Sequence, residues 1–221
     1  MKVFLYLFSF VFLLSSCVEI IDDISMNEDG SGIFKYSVNL SSSKVKINSI
    51  LALDSLDGKK VPSVDDISLK LSRLVRNLET KEGISNVTFT HDYTNFIFKL
   101  SCEFSSVGKL QDAIKELVIS ENNGREIKGM NHSWITFEGN RLSRSIPQIT
   151  INKARKINQD ETNLLKQGKY TSITRFKKEI KQFDNEKARL SKNKKAVMVQ
   201  TNPYALIHNP QLLDNTIYLI E

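Results

Sequence analysis

The chain is poor in the residues from which most catalytic and metal sites are built. Two cysteines in 221 residues exclude a disulfide-stapled scaffold and a cysteine-rich zinc module. With 9 glycines and 4 prolines against 40% hydrophobic and 25% charged residues, the chain is neither collagen-like nor of low complexity. No apolar run reaches the roughly 20 residues that a membrane-spanning helix needs. What the chain does have is basic charge, 31 Lys and Arg against 25 Asp and Glu for a formal net charge of +6, and length enough for one large or two small domains.

His91, His132 and His208 lie far apart in sequence, and neither a His-Glu-x-x-His nor a Cys-x-x-Cys spacing occurs. There is no Gly-x-Ser-x-Gly elbow, phosphate-cradling glycine loop or dinucleotide fingerprint. His91-Asp92 falls at a hairpin turn, where the aspartate serves the turn itself. Asp22-Asp23 sit on a strand and point to opposite faces, while Asp65-Asp66 sit at a helix start, where acids complement the dipole. Cys102 falls on the apolar face of a strand, the setting of a buried hydrophobe rather than a reactive thiol. The sequence therefore suggests no catalytic residue, no metal and no cofactor, and the expectation is a protein that is not an enzyme.

The most specific feature is at the N-terminus. Lys2 precedes the run 3–14, apolar but for Ser9, which is too short to span a membrane and has the form of an export signal. Leu14-Ser15-Ser16-Cys17 follows and resembles the lipobox of bacterial lipoproteins. The resemblance implies that Cys17 receives a diacylglyceryl group and becomes the first residue of the mature chain, after removal of residues 1–16 as signal peptide. Two acyl chains matter, because each buried CH₂ contributes about 0.8 kcal/mol and one chain alone holds only marginally. Valine rather than aspartate at position 18 departs from the inner-membrane retention signal and implies an outer-membrane destination in the cell envelope.

From Val18 the chain alternates as a strand, turns at Asn27-Glu28-Asp29-Gly30-Ser31-Gly32 and resumes with Phe34, Tyr36, Val38 and Leu40 on one face. An EF-hand frame does not fit this turn, since it would put Tyr36 where a bidentate glutamate belongs. A lipidated cysteine followed by strand, Asp-Gly-Ser-Gly turn and strand is similar to the opening of many bacterial envelope lipoproteins. A short helix follows with Ile47, Ile50 and Leu51, then a longer one in which Ile67, Leu71, Leu74, Val75 and Leu78 keep helical spacing behind a Ser63/Asp66 capping box, with Gly83 ending it. A second hairpin turns at 92–95 and carries Phe96, Phe98, Leu100, Cys102 and Phe104. A third helix spans 106–119, and Gly139-Asn140 joins strands over 134–137 and 141–146.

Residues 147–195 are ambiguous. Ile173, Phe176, Ile180, Phe183 and Leu190 have near-heptad spacing, but β-branched Thr171, Ile173 and Thr174 and the turns at 184–185 and 191–194 favour strands over 170–183, after a short helix over 161–167. A strand over 196–201, a helical turn over 210–213 and a last strand over 216–220 complete the chain. Hairpins separated by helices predict an α+β fold: an antiparallel sheet with two to three helices on one face, in a single domain over 17–221.

The basic charge is regional. Residues 17–140 carry 14 Lys and Arg against 18 Asp and Glu, whereas residues 141–195 carry 16 against 5. This segment includes Lys153-Ala154-Arg155-Lys156, Lys177-Lys178 and Lys192 to Lys195. Export excludes nucleic acid as the partner, and Lys177, Lys178, Lys192 and Lys194 are candidate contacts for anionic lipid, glycolipid or an acidic envelope protein. The expected function is thus a lipid-anchored, non-enzymatic envelope lipoprotein acting as a structural or interaction module. The alternative is a module that holds a lipid or glycan between helices and sheet, and a solvent-accessible apolar pocket of several hundred Å³ would distinguish it.

Overall fold

The computed structural model describes residues 18–56, 58–122, 124, 132–146 and 159–221. Residues 1–16, expected to be a signal peptide, lie outside these residues, and so do Leu14, Ser15 and Ser16 of the lipobox resemblance, Cys17 and the basic run 153–156.

The chain opens with the expected hairpin, β1 (Glu19–Met26) and β2 (Gly32–Asn39), paired from Glu19↔Asn39 to Met26↔Gly32. Its turn is closed by local chemistry: the Asp29 carboxylate accepts from the Ser31 amide at 3.0 Å and hydroxyl at 2.7 Å. Gly30 there has φ +84°, open to glycine at no steric cost. Gly32 is required for space, since a Cβ would lie 2.2 Å from the Ser25 carbonyl oxygen and 2.6 Å from the Phe104 ring.

Helix α1 (Lys44–Leu51) and a small ribbon of β3 (Ser55–Leu56) and β4 (Lys59–Lys60) come next. Helix α2 (Val64–Glu79) begins with the anticipated capping box: the Ser63 hydroxyl accepts from the Asp66 amide at 3.1 Å, and the Asp66 carboxylate accepts from the Ser63 amide at 3.0 Å. The second hairpin is β5 (Ile84–Asp92) and β6 (Ile97–Phe104), followed by α3 (Val107–Glu121) and a third hairpin of β7 (Ile135–Glu138) and β8 (Arg141–Arg144).

In the ambiguous region the strand reading holds, with a difference. After α4 (Gln159–Gln167), β9 (Lys169–Phe176) and β10 (Ile180–Phe183) are separate strands that join different sheets. The heptad spacing has no helical meaning here: Phe176 is buried under the large sheet and Ile180 in the second, while Ile173 faces the other side of β9. The chain ends with β11 (Arg189–Leu190), β12 (Ala196–Thr201), α5 (Pro203–His208), a 3₁₀ turn (Pro210–Leu213) and β13 (Asn215–Leu219). Helix α5 was not foreseen, although Asn202 caps it and Pro203 occupies its first turn.

The fold is α+β. The large sheet has the order β11, β12, β9, β1, β2, β6, β5, and the second has β10, β13, β8, β7. Among the described residues pairing is antiparallel except between β1 and β9, which run parallel in register Glu19↔Lys169 to Met26↔Phe176. One face of the large sheet is covered by α2 and α3 toward β5 and β6, and elsewhere by the second sheet. A continuous core joins the layers, with Cys102, Ile135, Leu142 and Ile217 almost completely buried. Gln111 of α3 locks the helix to β7: its Oε1 accepts from the Trp134 and Ile135 amides and its Nε2 donates to the Ile135 carbonyl, at 2.8–3.2 Å.

Candidate functional site

Strand alternation decides which side chains face the covered side of the large sheet. On β1 these are Asp22, Ile24 and Met26; their neighbours on β2 are Tyr36, Phe34 and Gly32, and those on β6 are Leu100, Cys102 and Phe104. An acid and a tyrosine therefore stand in rows that are otherwise apolar. Asp22 is buried and Asp23, pointing the other way, pairs with the half-exposed Arg175 at 2.9 Å, as the alternation requires.

Above these rows lies a cavity of about 280 Å³. Its floor is Asp22, Ile24, Phe34, Tyr36, Leu100 and Tyr170 of the large sheet. Its walls are Leu110 and Ile114 of α3, Trp134 to Ile135 at β7, Arg144 to Ile146 at the end of β8, and Leu206 of α5. Except at one end the lining is hydrocarbon and aromatic.

At that end a polar cluster crosses between the sheets. Arg144 reaches from β8 to donate through Nη2 to Asp22 Oδ1 at 2.6 Å, and through Nη1 to the Ile173 carbonyl at 3.0 Å and Thr174 Oγ1 at 3.1 Å. Tyr170 donates its hydroxyl to Asp22 Oδ2. The Arg144 and Asp22 side chains are only 10% and 8% exposed, so each is the other's compensation for lost water. Burial, reinforced by the Asp22 charge, pushes the Tyr36 hydroxyl up to about 12. The same causes, with the hydrogen bond to Asp22, raise Tyr170 well above its ordinary value, while Arg144 opposes the rise. Both tyrosines are neutral hydroxyls at any physiological pH. Tyr36 forms no hydrogen bond through its hydroxyl among the described residues.

No family model and no curated protein sequence matches the chain. Among solved structures, the chain aligns with the folded domain of the LppM protein of Mycobacterium tuberculosis, determined by NMR. That alignment covers 92% of this chain and 90% of the other, at 9% sequence identity and a TM-score of 0.42.

The lysines singled out from the sequence do converge. Lys177 and Lys178 occupy the turn between β9 and β10; Lys192 and Lys194 occupy the turn between β11 and β12. The two turns are stitched together by the Ile180 amide donating to the Lys194 carbonyl and the Phe176 amide donating to the Lys195 carbonyl, each at 2.8 Å. Lys177, Lys192 and Lys194 are exposed, and Lys178 lies 3.9 Å from Glu28.

Of the other residues considered in the sequence, Cys102 is buried and its thiol is pushed up to about 11 by burial alone. His91 lies between the rings of Phe89 and Tyr93, and Asp92 accepts from the Thr94 and Asn95 amides of its turn. Among the described residues no group of three or more His, Cys, Asp or Glu is placed to hold a metal ion, and no helix is long and apolar enough to cross a membrane.

Sequence reasoning did not single out Asp22, Tyr36, Arg144 and Tyr170 as a group. The signal available was Asp22 in phase with Ile20, Ile24 and Met26 on a strand, a charge where the pattern asks for hydrocarbon. Its partners stand 122 and 148 residues away in the chain, and no local pattern connects them.

Proposed function

We propose that the protein is a lipid-anchored, non-enzymatic module of the bacterial cell envelope whose domain binds a small apolar or amphipathic ligand between sheet and helices. The observation that carries the binding reading is the apolar cavity under α3 and α5. Of the two roles weighed from the sequence, a closed interaction module and a ligand-holding module, a cavity of this kind favours the second.

The state of the ionisable groups at the cavity, among the described residues, supports a binder rather than an enzyme. Asp22 and Arg144 are engaged with each other, both tyrosines are held protonated, and Cys102 lies within the packed core.

Anchoring rests on the lipobox and Cys17, and the envelope address, with the outer membrane as destination, rests on Val18. The fold adds geometry to that reading. Glu19 opens β1, so a lipid on Cys17 attaches two residues before the sheet begins, and Asp22 at the polar end of the cavity is five residues from it. At 3.3 Å per residue of extended chain that is at most about 17 Å, near enough for the cavity to exchange ligand with the anchoring membrane. The lysine turns sit at the opposite end of β1, about 23 Å further along than Glu19, nearly three Debye lengths at physiological salt. They would therefore meet their anionic partner, whether anionic lipid, a glycolipid or an acidic envelope protein, on a surface other than the one at the anchor.

Two measurements test this function. Metabolic labelling with a fatty acid is expected to mark the parent and not a Cys17→Ala variant; label in the variant, or none in the parent, would refute the anchor. Solvent extraction of the purified protein followed by mass spectrometry is expected to release a small amphiphile. An Ile114→Trp variant, which fills the cavity, is expected to carry none, and equal loading of both would refute the site.

A further inference from the structure

The lining of the cavity specifies the class of its occupant, given the binding role just proposed. Among the described residues the ionisable groups that line it in charged form are Asp22 and Arg144, one negative and one positive, in contact at 2.6 Å. The cavity therefore offers no net charge. An anionic headgroup would gain a guanidinium whose charge is already matched by Asp22 and whose Nη1 is held by the Ile173 carbonyl and Thr174. Its approach would leave two negative charges around one positive charge in an apolar enclosure, which is strongly unfavourable. A cationic headgroup would meet the reverse difficulty.

A pure hydrocarbon would fill the space but leave the Tyr36 hydroxyl unmet. Tyr36 lines the cavity, and its hydroxyl has no hydrogen-bond partner among the described residues and remains a neutral donor and acceptor. An oxygen on the ligand meets it at no charge cost. The volume sets the size: in proportion to an apolar cavity of about 150 Å³ that holds benzene, or about 25 Å³ per heavy atom, 280 Å³ holds about eleven.

We propose that the occupant is a neutral amphiphile of about eleven heavy atoms: an apolar chain or ring whose single hydroxyl or carbonyl group hydrogen-bonds to Tyr36, with no ionised headgroup inside the cavity.

The chain contains one tryptophan, and it lines the cavity, so its single indole N–H resonance reports occupancy directly. Every described strand and core residue follows residue 17. The mature chain carrying Cys17→Ser, which accepts no lipid, therefore keeps the whole described fold and can be titrated without detergent. Three ten-carbon probes differing only in headgroup, 1-decanol, decanoate and decylammonium, are added below their aggregation limits, with naphthalene as an apolar probe without an oxygen. Decanol is expected to shift the Trp134 resonance saturably, with decanoate and decylammonium weaker by more than about tenfold. Tyr36→Phe is expected to weaken decanol about fivefold, as for loss of one ordinary hydrogen bond, and to leave naphthalene unchanged.

Decanoate or decylammonium binding as tightly as decanol, or a Tyr36→Phe variant that binds decanol undiminished, would overturn the neutral-amphiphile assignment and leave the cavity as a ligand site. If neither decanol nor naphthalene moves the Trp134 resonance, the binding function falls and this assignment falls with it.

Discussion

Replacing Arg144 with methionine tests the central electrostatic feature of the molecule. The side chain is 10% exposed, its partner Asp22 is 8% exposed, and their contact of 2.6 Å joins the second sheet to the middle of the large one. Methionine retains most of the hydrocarbon but leaves the Asp22 carboxylate with the Tyr170 hydroxyl as its remaining partner. Breaking a buried pair from one side costs about 3–5 kcal/mol, because the stranded charge cannot recover its water. In an Asp22→Asn background Arg144 is itself the uncompensated buried charge, so the same Arg144→Met change removes it and is expected to cost less than about 1 kcal/mol or to stabilise. The control is Arg175→Met on the open face: that side chain is 49% exposed, its 2.9 Å pair with Asp23 is solvent-screened, and less than about 1 kcal/mol is expected. Urea unfolding followed by Trp134 fluorescence measures the parent, the three single variants and the double variant. A cost below about 1 kcal/mol for Arg144→Met, or the same cost in both backgrounds, would refute the view that an uncompensated buried charge is what the pair avoids.

Two further outcomes follow from the structure. Tyr36, pushed up to about 12, and Tyr170, raised in the same direction, hold protons that unfolded tyrosines release near pH 10. Their contribution is fully present below about pH 10 and is lost as pH rises toward and through the folded values, because the unfolded state then binds fewer protons. Urea midpoints should fall between about pH 10 and 12, and Tyr36→Phe should remove about 2–3 kcal/mol of that alkaline loss; an unchanged alkaline slope in the variant would contradict it. For the basic turns, changing Lys177, Lys178, Lys192 and Lys194 together to Gln is expected to weaken association of the unlipidated chain with acidic vesicles at low salt. Equal binding of parent and variant, or none by either, would make these turns a solvated face.

The elements that could be read from the sequence are those whose determinants are neighbours in the chain. The β1–β2 turn is closed by Asp29 and Ser31, two residues apart, and the α2 start by Ser63 and Asp66, three apart. The choice of strands over helix at 170–183 succeeded because β-branched Thr171, Ile173 and Thr174 outweighed an apolar spacing whose members belong to two sheets. The lysine turns were named individually, yet their proximity comes from the ladder that brings Lys194 against Ile180. The cavity had no local signature, since its floor belongs to β1, β2, β6 and β9 and its walls to α3, α5 and the second sheet.

By itself the sequence determined the local geometry of hairpins and caps, the α+β class, the regional concentration of basic charge and the likeness of residues 14–17 to a lipobox, because each depends on residues a few positions apart. Tertiary structure decided that β1 pairs in parallel with β9, some 150 residues later in the chain, and that the second sheet carries Arg144 to Asp22. The alternation of β1 says only that Asp22 faces inward. Whether an inward acid becomes a defect, a structural tie or one end of a binding cavity depends on which cation the rest of the fold delivers to it, and here that cation arrives from another sheet with an apolar space beside it.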